Sequence, residues 1–323
     1  MSANSPESNH PMPSALMARE TEDAMKIELL LDAHASIGES PTWVAPEQAI
    51  YWIDVKAPAL HRVDLRTRAV RRWRMPSDVG GFALAEAANG TPAAAVVALR
   101  DGLFRLDLAS GALTMLAAPP FDPGLTRFNE GACDRDGRFW IGTMFDPMPG
   151  AGDDPVLATL HSFTLAGGLR PEPDAAELHN GMAWSADDRL FYLAHSQRRE
   201  IFIFDYETVG GRLGRRRAFA SISEQPGIPD GAAIDEEGGY WCALHGGGRL
   251  RRYLPDGTLD REIMLPVSQP TMCAFAGDAL DLMVVTSASD RLTPRQLAAE
   301  PHAGGLFCLR PGVRGIPRHY LVK

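Results

Sequence analysis

Cysteine is scarce and dispersed. The four residues Cys133, Cys242, Cys273 and Cys308 include no C-x-x-C pair, so they lack the spacing of a zinc site. Three lie in apolar surroundings and read as buried free thiols, which points to a reducing, cytoplasmic compartment. Long apolar runs are missing too, and without about 18 consecutive apolar residues nothing is predicted to span a membrane. Positive charge is outnumbered, with 32 Lys and Arg against 41 Asp and Glu and a net charge of −9. A chain of that balance lacks the basic field that a nucleic-acid or anionic-membrane partner requires. The one arginine-rich run, Arg212 to Arg217, follows Gly210-Gly211 without interleaved aromatic residues and reads as a solvated hairpin tip. Residues 1–24 are rich in Ser, Pro, Asn, Glu and Met and lack a basic-then-apolar leader pattern, so they are expected to form a disordered extension.

Helical periodicity is the last thing largely absent. Before Pro294 no 3.6-residue pattern persists beyond two turns, and only Pro294 to Glu300 reads as a short helix, with Thr293 as its N-cap. What fills the chain instead is a succession of short β-branched and aromatic runs separated by Gly, Pro, Asp and Asn. The apolar centres Trp52, Val97, Trp140, Tyr192, Trp241 and Val284 recur every 43 to 52 residues. That is the period of a four-stranded propeller blade. Turns such as Asp134-Arg135-Asp136-Gly137, Ser185 to Asp188 and Asp235 to Gly238 precede three of the centres. Alternating runs at Leu103–Asp107, Ile201–Asp205 and Leu250–Leu254 read as half-buried outer strands. Six repeats predict an all-β fold, a six-bladed β-propeller occupying residues 25–323 as one domain. A β-sandwich also has many short strands, but radial repetition accounts better for the regular spacing.

Four segments shortly before a repeat centre carry polar residues that a strand pattern does not need. They are Gly38-Glu39-Ser40-Pro41, Arg127-Phe128-Asn129-Glu130-Gly131, His179-Asn180-Gly181 and Pro229-Asp230-Gly231. Taken singly, each polar residue reads as a turn residue bonding its own backbone. Taken together, equivalent positions of successive blades converge on one mouth of a central channel. Two carboxylates and an amide oxygen there suit a hard cation such as Ca²⁺, Mg²⁺ or Mn²⁺, with Zn²⁺ less typical of oxygen-only ligands. Asp230, held between a proline and a glycine, is a candidate ligand and general base.

At these residues the sequence resembles the senescence marker protein/gluconolactonase family, the regucalcin-like lactonases. The resemblance runs from about residue 27 to 320 and includes Gly142-Thr143-Met144, Asn180 to Trp184, Ile228 to Gly231 and Ala303 to Phe307. It implies a propeller with one divalent cation held by Glu39, Asn180 and Asp230, and Asp230 as base. It also implies substrate contacts from Arg127 and Asn129, with Glu130 beside them, and hydrolysis of a sugar lactone, a pentono- or hexonolactone. Other roles remain open at this point: a non-catalytic calcium-binding regulatory propeller, or a hydrolase of a non-sugar lactone or ester. The protein is expected as a monomer or weak homo-oligomer. Two positions depart from the family pattern. His195 stands where the family commonly has an aspartate, as a substrate contact or a structural residue. Near Pro147 an acidic substrate-contacting position of some relatives is missing, and Asp146 is the candidate substitute.

Overall fold

The computed structural model describes residues 26–86, 90–152, 154–222 and 226–321, so the expected extension over residues 1–24 lies outside the described residues. Six four-stranded antiparallel sheets follow one another along the chain. Blade 1 runs through Gly38–Val44, Ala49–Asp54, Ala59–Asp64 and Val70–Arg74, and blade 2 through Val79–Glu86, Pro92–Leu99, Gly102–Asp107 and Leu113–Ala117. Blade 3 comprises Thr126–Cys133, Phe139–Phe145, Ala158–Thr164 and Gly168–Ala176, and blade 4 His179–Trp184, Leu190–His195, Glu200–Glu207 and Arg212–Ser221. Blade 5 comprises Ile228–Ile234, Tyr240–His245, Arg249–Tyr253 and Leu259–Met264. Blade 6 takes Pro270–Ala276, Leu282–Ser287 and Leu306–Leu309 from the end of the chain and its outermost strand, Glu28–Leu31, from the beginning. Glu28 pairs with Cys308 and Leu29 with Phe307, which closes the ring. Each innermost strand contacts that of the blade before and after it, and the six surround a channel.

All six repeat centres fall on second strands, and none is more than 2 % exposed. A second strand is covered on both faces by neighbouring blades, so it reads as a continuous apolar run rather than an alternation. Each such side chain contributes roughly 2–3 kcal/mol of transfer free energy. The aspartate turns do more than reverse the chain. Asp134 and Asp235 are fully buried and accept the indole N–H of Trp140 (3.1 Å) and Trp241 (2.8 Å), which locks first strand to second in blades 3 and 5.

Three expectations shift in detail. The alternating runs at Leu103, Ile201 and Leu250 are third strands, with a more exposed fourth strand outside them. The Arg212–Arg217 run opens the fourth strand of blade 4 rather than forming a hairpin tip; Gly210 and Gly211 make the turn, and the arginines pair with Glu207, Asp205 and Asp174. The helix spans Pro294–Ala299 and is capped by a reciprocal pair, Thr293 accepting the N–H of Gln296 and the Gln296 side chain accepting that of Thr293. All four cysteines are free and buried, and no helix among the described residues is long and apolar enough to cross a membrane.

Candidate active site

The polar-then-glycine segments are all innermost strands, and every one of the six innermost strands breaks register as it nears the channel. The breaks fall at Glu39/Thr42, Val79/Gly81, Asn129/Gly131, Asn180/Ala183, Pro229/Ala232 and Pro270/Met272. A bulge leaves a residue unpaired and re-aims its side chain. The sequence supports it with left-handed backbone at Ser40 (φ 56°), Glu130 (φ 47°) and Gly181 (φ 64°). At Gly181 a side chain is also excluded by space, since a Cβ would sit 2.4 Å from the Tyr240 hydroxyl oxygen. Glu130 adopts its unfavourable φ because its carboxylate accepts the N–H groups of Gly181 (2.7 Å) and Met182 (2.6 Å) in the next blade.

Blades 3 and 4 are joined by side chains. Asn129 donates to the amide oxygen of Asn180 (2.6 Å) and to the carbonyl of His179 (3.0 Å), and Asn180 donates to the Ser196 hydroxyl (2.9 Å). The Asn180 oxygen keeps a second lone pair for a further partner. Arg127, 3 % exposed, donates from Nη1 to Asn129 Oδ1 and the Phe128 carbonyl (both 2.9 Å) and from Nε to Asp146 Oδ2 (2.9 Å). Its Nη2 meets only the Met144 thioether at 3.1 Å, a weak acceptor, so one amino group retains donor capacity.

Glu130 and Asp230 of this ring are buried and Glu39 is half-buried. Burial, followed by the charges of Glu39 and Glu130, holds Asp230 well above the usual carboxylate range. Burial and the Glu130 charge push Glu39 up to about 8. Burial raises Glu130 to about 7 despite its two backbone donors. Three acids that resist ionising together in one oxygen-lined channel form a site that a hard divalent cation fits. Glu39, Asn180 and Asp230 are residues that could hold such an ion.

Glu39, Arg127, Asn129, Glu130, Asn180 and Asp230 are thus brought together, Asp146 adjoins them through Arg127, and His195 faces a different cluster. His195 is buried between blades: its Nε2 meets Asp174 Oδ1 at 2.7 Å and its ring packs edge-on against Phe202. Asp174, on the outermost strand of blade 3, also binds His179 Nε2 (3.3 Å) and, through Oδ2, Arg216 (3.1 Å). Asp174, His179 and His195 place ligand-type atoms within 4.8 Å of one another. Their contacts have hydrogen-bond lengths, however, and Arg216 already supplies the positive charge. Burial would raise Asp174, but the two histidine hydrogen bonds outweigh it and hold the carboxyl well below its usual range.

Asp146 lies at the rim, where its Oδ2 accepts from Lys56 (2.6 Å), Arg100 (2.6 Å) and Arg127. Burial opposes its charge, but Arg127, Lys56 and Arg100 prevail and hold it at about 2. These residues and Asp78 line a cleft of about 370 Å³ beside Arg127. Asp174, Lys56, Asp78 and Arg100 carry no sequence signal, because each comes from an outer strand, a turn or a blade linker without a local pattern.

The family model described as "SMP-30/Gluconolactonase/LRE-like region" matches residues 37–289. The L-arabinolactonase of Azospirillum brasilense is 36 % identical over 284 residues, covering 86 % of this chain and 90 % of its own. The 6-deoxy-6-sulfogluconolactonase of Pseudomonas putida is 34 % identical over 282 residues, covering 86 % and 92 %. Among solved structures, a calcium-binding protein, regucalcin, from Agrobacterium tumefaciens superposes with a TM-score of 0.82 at 25 % identity, over 92 % of this chain and 97 % of that one.

Proposed function

The chain belongs to the SMP-30/gluconolactonase/LRE-like family, and we propose that it hydrolyses a sugar lactone to the aldonic acid with the help of one divalent cation held by Glu39, Asn180 and Asp230. The observation that carries this reading is the ring of oxygen donors from four blades, in which three carboxylates converge and are all raised above their usual range. A bound cation supplies Lewis acidity to the lactone carbonyl and acidifies a water.

The side chains account for the remaining steps. Asp230, held rigidly between Pro229 and Gly231 beside the cation it would help to hold, takes a proton from the attacking water. The water oxygen bonds to the carbonyl carbon, the ring C–O bond breaks, and the same proton passes to the departing ring oxygen, leaving an open-chain hydroxy acid. Arg127 offers its one under-used amino group to a substrate oxygen that gains negative charge, and Asn129, fixed by Arg127 and Asn180, offers an amide edge beside it. Glu130 is engaged by two backbone N–H groups, so it shapes the charge of the ring more than it reaches substrate. The cleft beside Arg127 is the place for the polyhydroxylated part of the lactone, with Asp146 as its acidic lining.

Residues 25–323 serve as one propeller domain, and four free buried thiols suit a reducing, cytoplasmic setting. Protein stripped with chelator and refilled with Ca²⁺, Zn²⁺, Mn²⁺ or Mg²⁺ is expected to hydrolyse pentono- and hexonolactones in a pH-stat. Absence of any cation-dependent rate above background across several lactones would remove this reading. A second reading, a calcium-binding propeller without chemistry, is favoured by the likeness to the calcium-binding regucalcin structure. Uptake of cation that Asp230→Ala abolishes, with no turnover of any lactone by the unsubstituted chain, would select it.

A further inference from the structure

Past the last strand of blade 6 the chain returns beneath the propeller as a strap. It is anchored to blade 5, where Gly315 bridges to Asp235 and Glu236 donates to the Arg314 carbonyl (2.8 Å). Gly315 lies so close to Phe275 that a Cβ would sit 2.1 Å from its ring. The other anchor is in blade 2, where Leu321 bridges to Ala85 and its N–H donates to the Leu84 carbonyl (3.0 Å). Tyr320 ties the strap to blade 1 through the Trp43 carbonyl (3.0 Å). Blades 5 and 2 face each other across the axis, and six residues of extended chain reach at most about 20 Å. The strap is therefore drawn straight across the channel floor.

Between the strap and the ring of acids lies a cavity of about 80 Å³, lined by Thr42, Gly131, Met182, Ala232 and Phe275 and closed from below by Arg318. Gly131 is the neighbour of Glu130 on the same innermost strand. The strongest charge interaction of the Arg318 guanidinium with a carboxylate is with Glu130, and Glu39 is also in range. Arginine stays charged in such a setting. Arg127, the other guanidinium near the ring, pairs with Asp146, which Lys56 and Arg100 share. Three carboxylates then face the guanidinium of the strap, an excess of negative charge that a divalent cation would relieve.

We propose that Arg318 is the fixed counter-charge of the carboxylate ring: the strap delivers a guanidinium to the channel floor that offsets Glu130, leaving Glu39 and Asp230 to match one divalent cation and holding down the affinity for it. This makes Arg318 a positioning residue that acts through Glu130. The inference rests on the reading of the ring as a cation site.

The test is calorimetric titration of the chelator-stripped full chain with Ca²⁺ and with Mn²⁺, at low and high salt. Arg318→Met is expected to bind the cation about tenfold more tightly or better, because a unit charge facing a divalent ion across a poorly solvated channel is removed. The gain should persist at high salt, since interior charges are little screened. Arg318→Lys, which keeps the charge, should stay within about threefold of the unsubstituted chain. The double variant Arg318→Met, Glu130→Gln should return towards the original affinity. Should Arg318→Met lose its folded circular dichroism, Arg318→Gln keeps polarity and length and carries the same expectation. Equal or weaker binding by the neutral variant, with the unsubstituted chain binding normally, overturns this inference alone. An unsubstituted chain that takes up no divalent cation overturns the proposed function and this inference with it.

Discussion

Two buried acidic clusters lie one residue apart on the first strand of blade 4, and they have opposite electrostatic character. His179 belongs to the cluster around Asp174, where two histidines and Arg216 satisfy both carboxylate oxygens. Asn180 belongs to the ring of Glu39, Glu130 and Asp230, where burial raises every acid and repulsion adds to it at Glu39 and Asp230. Judged by residue type, two histidines and an aspartate look more like a metal site than asparagine and carboxylates do. Judged by charge balance, the carboxylate of the first cluster is matched and the acids of the second are short of positive charge. The difference teaches that unmet charge marks a functional centre better than the identity of its residues.

The largest expected effect separates the clusters at once. Asp230→Asn keeps the shape but removes ligand charge and base, and should lower kcat/KM by about a thousandfold, with loss of stoichiometric cation binding by calorimetry. Arg127→Leu should cost about a hundredfold in kcat/KM with cation stoichiometry kept at one; an unchanged rate would mean that the rim, rather than the ring, orients the lactone. Asp174→Ala should act on stability instead. Orphaning two buried histidines and Arg216 is expected to cost about 3 kcal/mol, read as a melting point lower by roughly 6–10 °C, while cation stoichiometry is retained. A drop in stoichiometry in that variant would erase the distinction between the two clusters.

The smallest effect is a slope. In chelator-stripped protein the raised carboxyls of Glu39 and Glu130 bind protons more tightly folded than unfolded, so the stability they confer is lost as pH rises towards about 8 and 7 respectively. His61 and His161, pushed by burial to about 4, act in the other direction only between pH 4 and about 6.5, where the unfolded chain takes up protons and the folded chain does not. Between pH 6.5 and 8 the melting point of stripped protein should therefore fall by a few degrees, and a saturating divalent cation should flatten the decline. A stripped protein that grows more stable over that interval would show that the ring is not under charge strain.

The repeat centres were legible because a strand covered on both faces must be apolar whichever blades flank it. Glu39, Asn129, Asn180 and Asp230 were legible for a related reason: a polar residue followed by glycine or proline interrupts an innermost strand where apolar residues are otherwise required. The pairing of Glu28 with Cys308 leaves no periodic trace, because closure joins strands from opposite ends of the chain. His195 could not be placed from its neighbours, since its environment is set by Asp174 on a different blade. Arg318 sits in Gly315-Ile316-Pro317-Arg318, where nothing local tells that the strap crosses the axis.

The six bulges do not make six equal contributions. In blade 2 the break in register falls at Gly80, where a Cβ would lie 2.0 Å from the Phe128 carbonyl oxygen. Even alanine is barred there, so that spoke presents bare backbone while its neighbours present side chains. The fold's sixfold plan is thereby given a front and a back, and the empty spoke points to the quarter where Lys56, Asp78, Arg100 and Asp146 line the rim cleft. The charged rim cleft is thus built from the turns and linkers of blades 1 to 3, on different chain segments from the bulged strands that form the ring.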